Sequence, residues 1–268
     1  MTPLEAIILG IIQGISEFLP ISSSGHLALT KQLLGIAEPD MPFIIVVHLG
    51  TLVPVLIIYR KDIWQLIKRP FQKMTALLII ATLPAVLVAL FFSDRIESAF
   101  ASVNFIAGGL IITGIALMLS DRVKSVDMRK DGKNISRLDA LLIGIAQAIA
   151  VLPGISRSGS TITAALGRKI TRDDAAKFSF FMSIPAILGA AVLYTAQIVT
   201  GRIYISSLDP VALGLGFLSA ALSGYLAINS LLAIIRKAKL RYFAYYVFLL
   251  AGVIIFDIMI LNGVIFGG

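Results

Sequence analysis

Residues 139–167 read DALLIGIAQAIAVLPGISRSGSTITAALG. The apolar stretch 139–152 is too short to cross about 30 Å of hydrocarbon, which takes roughly 20 helical residues. It runs into Pro153-Gly154-Ile155-Ser156-Arg157-Ser158-Gly159-Ser160-Thr161, and a second short apolar piece, 162–167, follows. Basic clusters sit at both ends: six Lys and Arg from Arg122 to Arg137, and four from Arg168 to Lys177. Such clusters favour the cytoplasmic side, so the segment must enter and leave the membrane by one face. Non-helical backbone at membrane depth is tolerated only where protein buries it or it lines a cavity. These residues therefore read as a re-entrant helix–loop–helix hairpin.

Residues 4–35 repeat the pattern. Apolar 4–19 runs into Pro20-Ile21-Ser22-Ser23-Ser24-Gly25-His26, followed by the short piece 27–35. Around the two hairpins lie six apolar runs of spanning length, about 43–59, 74–92, 104–120, 178–199, 211–235 and 244–262. None alternates as the strands of a membrane barrel do. The expected fold is an all-α polytopic membrane protein, with six transmembrane helices plus two re-entrant helix hairpins. Nineteen of the 23 Lys and Arg fall in four clusters, the other two at Arg60–Lys73 and Arg236–Arg241. With all four clusters cytoplasmic, both termini lie outside and the first hairpin enters from outside.

Composition agrees. The 268 residues are 58% hydrophobic and 14% charged, with mean hydropathy +0.95, against about 25% charged residues in soluble domains. A soluble globular enzyme and a disordered chain are both excluded. The absence of cysteine rules out disulfides and thiolate chemistry, and two histidines are too few for a His-rich metal site. The net charge of +8 points to lipid headgroups and topology, with no nucleic acid partner. Glu5, and the lack of any Lys or Arg before Lys31, argue against a cleavable signal.

A shift of 134 residues, half the chain, places Gly10, Ile11, Gln13, Ile15, Ile21, Ser22, Ser24 and Gly25 on Gly144, Ile145, Gln147, Ile149, Ile155, Ser156, Ser158 and Gly159. Each half, about 1–134 and 135–268, holds one hairpin and three spans within a single membrane domain. An odd number of crossings inverts the second half. Inverted repeats with broken helices build a binding site near the midplane.

The chemistry-bearing residues lie in these hairpins. Gln13 and Glu17 are four apart and share a helix face. A carboxylate in an apolar run is costly and marks function; it suits a general base or a metal ligand. Ser22, Ser23 and Ser24 precede a helix, where exposed N–H groups and hydroxyls cradle phosphate. Ser23 is a candidate nucleophile, and His26 a candidate base or proton donor. The second loop offers Ser156, Arg157, Ser158 and Thr161. Arg157 is the only arginine inside an apolar region; its planar fork matches phosphate oxygens, and it must face Glu17, a ligand anion, or both. The repeat pairs Arg157 with Ser23. Asp257 reads as a solvated residue near the outer end of the last span. His48 stays unassigned. Trp64, Tyr242, Tyr245 and Tyr246 read as interfacial anchors.

The two loops closely resemble those of the bacterial undecaprenyl-diphosphate phosphatases, the bacitracin-resistance family, over essentially the full length. One signature is Glu/Gln-x-x-x-Glu followed by a Ser-rich loop and His, here Gln13 to Glu17, then Ser22-Ser23-Ser24-Gly25-His26. The other is Pro-Gly-x-Ser-Arg-Ser-x-x-Thr, here Pro153 to Thr161. The resemblance implies removal of the terminal phosphate from undecaprenyl diphosphate, which regenerates the lipid carrier for peptidoglycan precursors. It also implies a divalent cation, Mg²⁺ or Ca²⁺, and a site open to the extracytoplasmic side of a bacterial plasma membrane. The residues it carries over are Glu17, Ser23, His26, Ser156, Arg157 and Thr161; Gln13 is the neutral variant at the first motif position. Glu17 and Gln13 are then the expected metal-binding positions, and a homodimer is a permitted assembly. The rival class is a polyprenyl-phosphate flippase, because inverted repeats with broken helices are also typical of carriers.

Overall fold

The structure is a computed structural model that describes residues 1–36, 41–121, 131, 134–200, 209–237 and 239–266. Most of the basic cluster at 122–137, and Arg202, lie outside these residues. The described chain forms helices without β-strands. Six helices are long and apolar enough to cross a membrane: α3 (Met41–Ile58), α5 (Lys73–Phe91), α7 (Val103–Ser120), α10 (Arg172–Val199), α11 (Pro210–Lys237) and α12 (Arg241–Ile260). They coincide with the six apolar runs. They are apolar around most of their circumference, with Val192, Leu222 and Leu226 exposed, as lipid contact requires.

Both hairpins form helix pairs. α1 (Pro3–Phe18) and α2 (Ser23–Leu33) make the first; α8 (Arg137–Ile149) and α9 (Arg157–Gly167) make the second. At 1.5 Å per residue, the longest of these helices, α1, is about 24 Å long, short of a bilayer core. The second hairpin visibly doubles back. Asp139, buried at the start of α8, accepts from Arg168 Nε just after α9 at 2.7 Å. Its two ends therefore lie side by side, an arrangement consistent with a re-entrant segment.

The irregular loops are shorter than the sequence suggests. Ser22 and Ser156 are N-caps, accepting from Gly25 N at 3.3 Å and Gly159 N at 3.1 Å. A hydroxyl at that position satisfies an orphan N–H of the first turn and starts the helix at once. Ser23 and Arg157 therefore open α2 and α9 as their first helical residues. Ser22 itself sits at φ +73°, a sparsely populated conformation for a non-glycine residue.

Two amphipathic helices, α4 (Arg60–Lys68) and α6 (Ser93–Phe100), link the spans of the first half. They escaped an apolar-run reading because only one face of each is hydrophobic. Trp64 on α4 is exposed and receives Lys68 Nζ 5.2 Å from its ring centroid, which suits the interfacial role expected of it.

Small residues set the helix spacing. Gly10 and Gly14 on α1 lie against Gly216, Ser219, Ala220 and Ser223 of α11, where an added Cβ would overlap backbone. Close approach through small residues four apart is the usual interface where lipid supplies no hydrophobic drive. Gly144 on α8 lies in the same way against the Ala81 backbone of α5. Gly154, at φ +81°, brings the second loop onto Ile106 and Gly109 of α7. Thr113 of α7 secures that contact, donating to Gly154 O at 3.1 Å and accepting from Ser156 N at 2.9 Å.

Asp257 corrects one expectation. It is fully buried rather than solvated, accepting from Ile265 N at 2.9 Å and Phe266 N at 2.7 Å. The chain after α12 folds back over the carboxylate and supplies N–H donors in place of the water expected there.

Candidate active site

The tips of the two hairpins meet. Glu17 comes from the last turn of α1, Ser23 from the first turn of α2 and Arg157 from the first turn of α9. Arg157 Nη2 donates to Glu17 Oε1 at 2.5 Å, and Arg157 Nη1 donates to Ser179 O of α10 at 2.9 Å. Ser23 Oγ donates to Glu17 Oε2 at 2.8 Å, and Gln13 Nε2 donates to the same oxygen at 3.0 Å. Glu17 is 7% exposed and Arg157 17%. A carboxylate so buried needs this density of donors to stay charged.

Ser158 Oγ donates to Leu19 O at 3.1 Å and Gly159 lies against Pro20, which locks one loop onto the other. Thr161 Oγ1 donates to Arg157 O at 2.8 Å and lies 2.7 Å from Ser179 Oγ. Ser179 thus touches both Arg157 and Thr161. The buried hydroxyls of Ser22, Ser156, Ser158 and Thr161 are engaged within the protein. Ser23, Ser24, His26 and Arg157 are the candidates that stay partly exposed.

The geometry brings Gln13, Glu17, Ser23 and Arg157 into one hydrogen-bonded cluster. His26 stands apart from it: Nδ1 lies 2.8 Å from Ser22 O, and Nε2 lies 2.8 Å from Tyr246 OH of α12. The resting Ser23 proton points at Glu17, not at His26. Three residues join the site that sequence reasoning left out. His48 Nε2 of α3 lies 3.9 Å from Glu17 Oε2. Ser179 anchors Arg157, and Tyr246 partners His26. An ionisable residue inside a span was a signal for His48; Ser179 and Tyr246 gave none that separated them from ordinary span and interface residues.

A bacterial family carries this pair of loops. The family model for "Bacitracin resistance protein BacA" matches residues 6–253. The chain belongs to the BacA family. Among curated relatives of this BacA-family chain, the "Undecaprenyl-diphosphatase" of Carboxydothermus hydrogenoformans is 47% identical over 250 residues, 93% of this chain and 95% of that one. "Undecaprenyl-diphosphatase 4" of Bacillus thuringiensis is 44% identical over 255 residues, 95% of this chain and 97% of the relative. "Undecaprenyl-diphosphatase" of Halothermothrix orenii is 41% identical over 253 residues, covering 94% and 96%. With its six spanning helices, the chain is a multi-pass bacterial membrane protein.

Proposed function

We propose that this chain hydrolyses undecaprenyl diphosphate to undecaprenyl phosphate and inorganic phosphate, and so recycles the lipid carrier of cell-wall synthesis and confers bacitracin resistance. The observation that carries the reading is the buried Glu17–Arg157 pair with Ser23 hydrogen-bonded to its carboxylate. A lone guanidinium beside a carboxylate–hydroxyl pair is a phosphoryl-transfer constellation, where positioning and charge stabilisation do most of the work.

In the resting site Arg157 is held by Glu17. An incoming terminal phosphate competes for the guanidinium, aided by the N–H groups and partial positive charge at the starts of α2 and α9. Ser22, Ser156, Ser158 and Thr161 frame this cradle, while Ser23, Ser24 and Arg157 reach the phosphate. Ser23 Oγ attacks phosphorus and passes its proton to Glu17 Oε2, or positions a water that attacks in its place. The bond from phosphorus to the bridging oxygen breaks and the lipid monophosphate departs. In the covalent route Glu17 hands that proton on to the departing lipid phosphate, then as base takes a proton from the water that hydrolyses phosphoserine and returns it to Ser23 Oγ. His26 assists proton transfer. The exposed apolar faces around the site accommodate the polyprenyl tail, at about 0.8 kcal/mol per buried CH₂.

The donor set fits a hard divalent cation. Gln13 Oε1 is a buried carbonyl oxygen with no hydrogen-bond partner, beside the Glu17 carboxylate. No group of three or more His, Asp or Glu gathers among the described residues. One carboxylate and one amide oxygen are the sparse protein share that Mg²⁺ takes when substrate phosphates complete its shell. Glu17 and Gln13 would hold Mg²⁺ or Ca²⁺, which would neutralise charge on the diphosphate when bound.

The two loops are built alike. Ser22 bonds Gly25 N and Ser24 Oγ as Ser156 bonds Gly159 N and Ser158 Oγ. That correspondence supports two inverted pseudo-repeats with both hairpins re-entrant; an extracytoplasmic opening of the site is what the resemblance to the family implies. It also supports the rival reading, a polyprenyl-phosphate flippase. Phosphate release from undecaprenyl diphosphate by pure protein in detergent, with and without chelator, separates the two. Release there needs catalysis and no gradient. Its absence, together with lipid movement in liposomes, would replace the hydrolase with a carrier.

A further inference from the structure

We infer that Tyr246 is a positioning residue for His26: its hydroxyl holds in place a ring whose Nδ1 carries the proton and whose Nε2 is the basic nitrogen. The inference rests on the proposed catalytic role of His26. Ser22 O, 2.8 Å from His26 Nδ1, is a carbonyl and can only accept. Nδ1 therefore carries the ring proton, and Nε2 of the neutral ring is left with a lone pair. Tyr246 OH, 2.8 Å from Nε2, must then donate. The tautomer is set by the Ser22 carbonyl, which cannot donate, and the Tyr246 hydroxyl, able to donate or accept, takes the complementary role; a backbone carbonyl on Nδ1 is how enzymes commonly set the working nitrogen of a histidine.

The two partners come from different parts of the molecule. Ser22 is the cap of α2 itself, and Tyr246 lies 220 residues from His26 on α12. The rings lie nearly parallel, at 16° with centroids 5.6 Å apart. α2 has a second polar tie, to the chain beyond α12: Gln32 Nε2 donates to Phe266 O at 2.5 Å, in the turn closed by Asp257. An aromatic anchor in lipid headgroups needs no such partner. Tyr246, though exposed like Tyr242 and Tyr245, differs from them in its partner: those two pack edge to face on each other with centroids 6.4 Å apart.

The test uses full-length protein in detergent with ¹⁵N-labelled histidine. The chain has two histidines, and His48→Gln identifies which imidazole signals belong to His26. Wild-type protein should show His26 as the Nδ1–H tautomer, with an unprotonated, hydrogen-bonded Nε2. The opposite tautomer would overturn the proposal without any variant. Tyr246→Phe, which removes only the hydroxyl, should move the Nε2 signal towards that of a free imine nitrogen. It should also lower kcat about tenfold, with KM within about twofold, because general acid–base efficiency depends on placement. An unmoved signal or unchanged kcat overturns the proposal and leaves Tyr246 an anchor only. Gln32→Ala, which cuts the other tie, should lower the thermal midpoint and leave the His26 signal in place. If His26→Ala keeps wild-type turnover, the catalytic reading of His26 is what fails. If His26→Ala is inactive and Tyr246→Phe is wild-type, only the role of Tyr246 fails.

Discussion

Glu17 Oε1 and Arg157 Nη2, 140 residues apart in the chain, meet at 2.5 Å where the two hairpins touch. Each is the other's counterion in a setting that leaves neither much water. The pair ties the fold to the chemistry, since whatever draws Arg157 towards a phosphate also frees a carboxylate oxygen.

Arg157→Ala should lower phosphate release by at least about 10²-fold, the usual cost of losing a charge-stabilising group. It should also strand the Glu17 carboxylate, and breaking a buried pair from one side costs about 3–5 kcal/mol. Adding Glu17→Gln to that variant should recover part of the lost thermal midpoint and none of the turnover. A double variant no more stable than the single one would mean that the pair does not hold the tips together.

Ser23 and Glu17 should behave as a unit. Ser23→Ala and Glu17→Gln are each expected to cost about 10²-fold or more in kcat, and the double variant little more than the worse single one. Phosphoserine trapped at position 23 supports the covalent route. A Ser23→Ala enzyme with most of its activity assigns the attack to water.

His48 Nδ1 lies 2.7 Å from Ile44 O, so Nε2 is the atom turned to Glu17. His48→Gln keeps a polar group of similar reach and should stay within about tenfold of wild type. His48→Glu sets a second carboxylate beside Glu17 and should cost about 10²-fold or more, by like-charge repulsion. Equal activities in the two variants would remove His48 from the site.

Gly154→Ala should lower the thermal midpoint in detergent. Its φ of +81° costs an L-residue about 1–3 kcal/mol, and the added Cβ would meet Ile106 O. Gly167→Ala, at a position with open space, is the matched control and should leave the midpoint near wild type.

Hydropathy and charge placement reached far into this molecule. The second hairpin was legible because a polar Pro-Gly-Ser stretch interrupts an apolar run between two basic clusters, and the Asp139–Arg168 bridge brings its two ends together, consistent with that reading. The meeting of Glu17 with Arg157 was one of the alternatives the sequence offered, the other being a ligand anion, since neither charge could stay alone in an apolar region. The helical starts at Ser23 and Arg157 were misjudged as loop, because serine serves equally in loops and as the cap that ends one. Asp257 was misjudged because its partners are backbone N–H groups of residues 265 and 266, which no side-chain pattern announces.

Taken alone, the sequence determined how many helices are long enough to span, where the backbone must break, and which residue types lie at the breaks. Those properties depend on transfer from water to lipid, and transfer free energy is local and additive along a chain. Tertiary structure alone decided that His48 faces Glu17, that Ser179 holds Arg157, and that Tyr246 reaches His26. Each depends on how a helix is rotated about its axis and which neighbour it meets. In a span apolar on every side, hydropathy leaves that rotation open, and close seating at small residues, such as Gly50 of α3 against the Phe217 backbone of α11 and Gly114 of α7 against the Phe248 ring of α12, helps settle it.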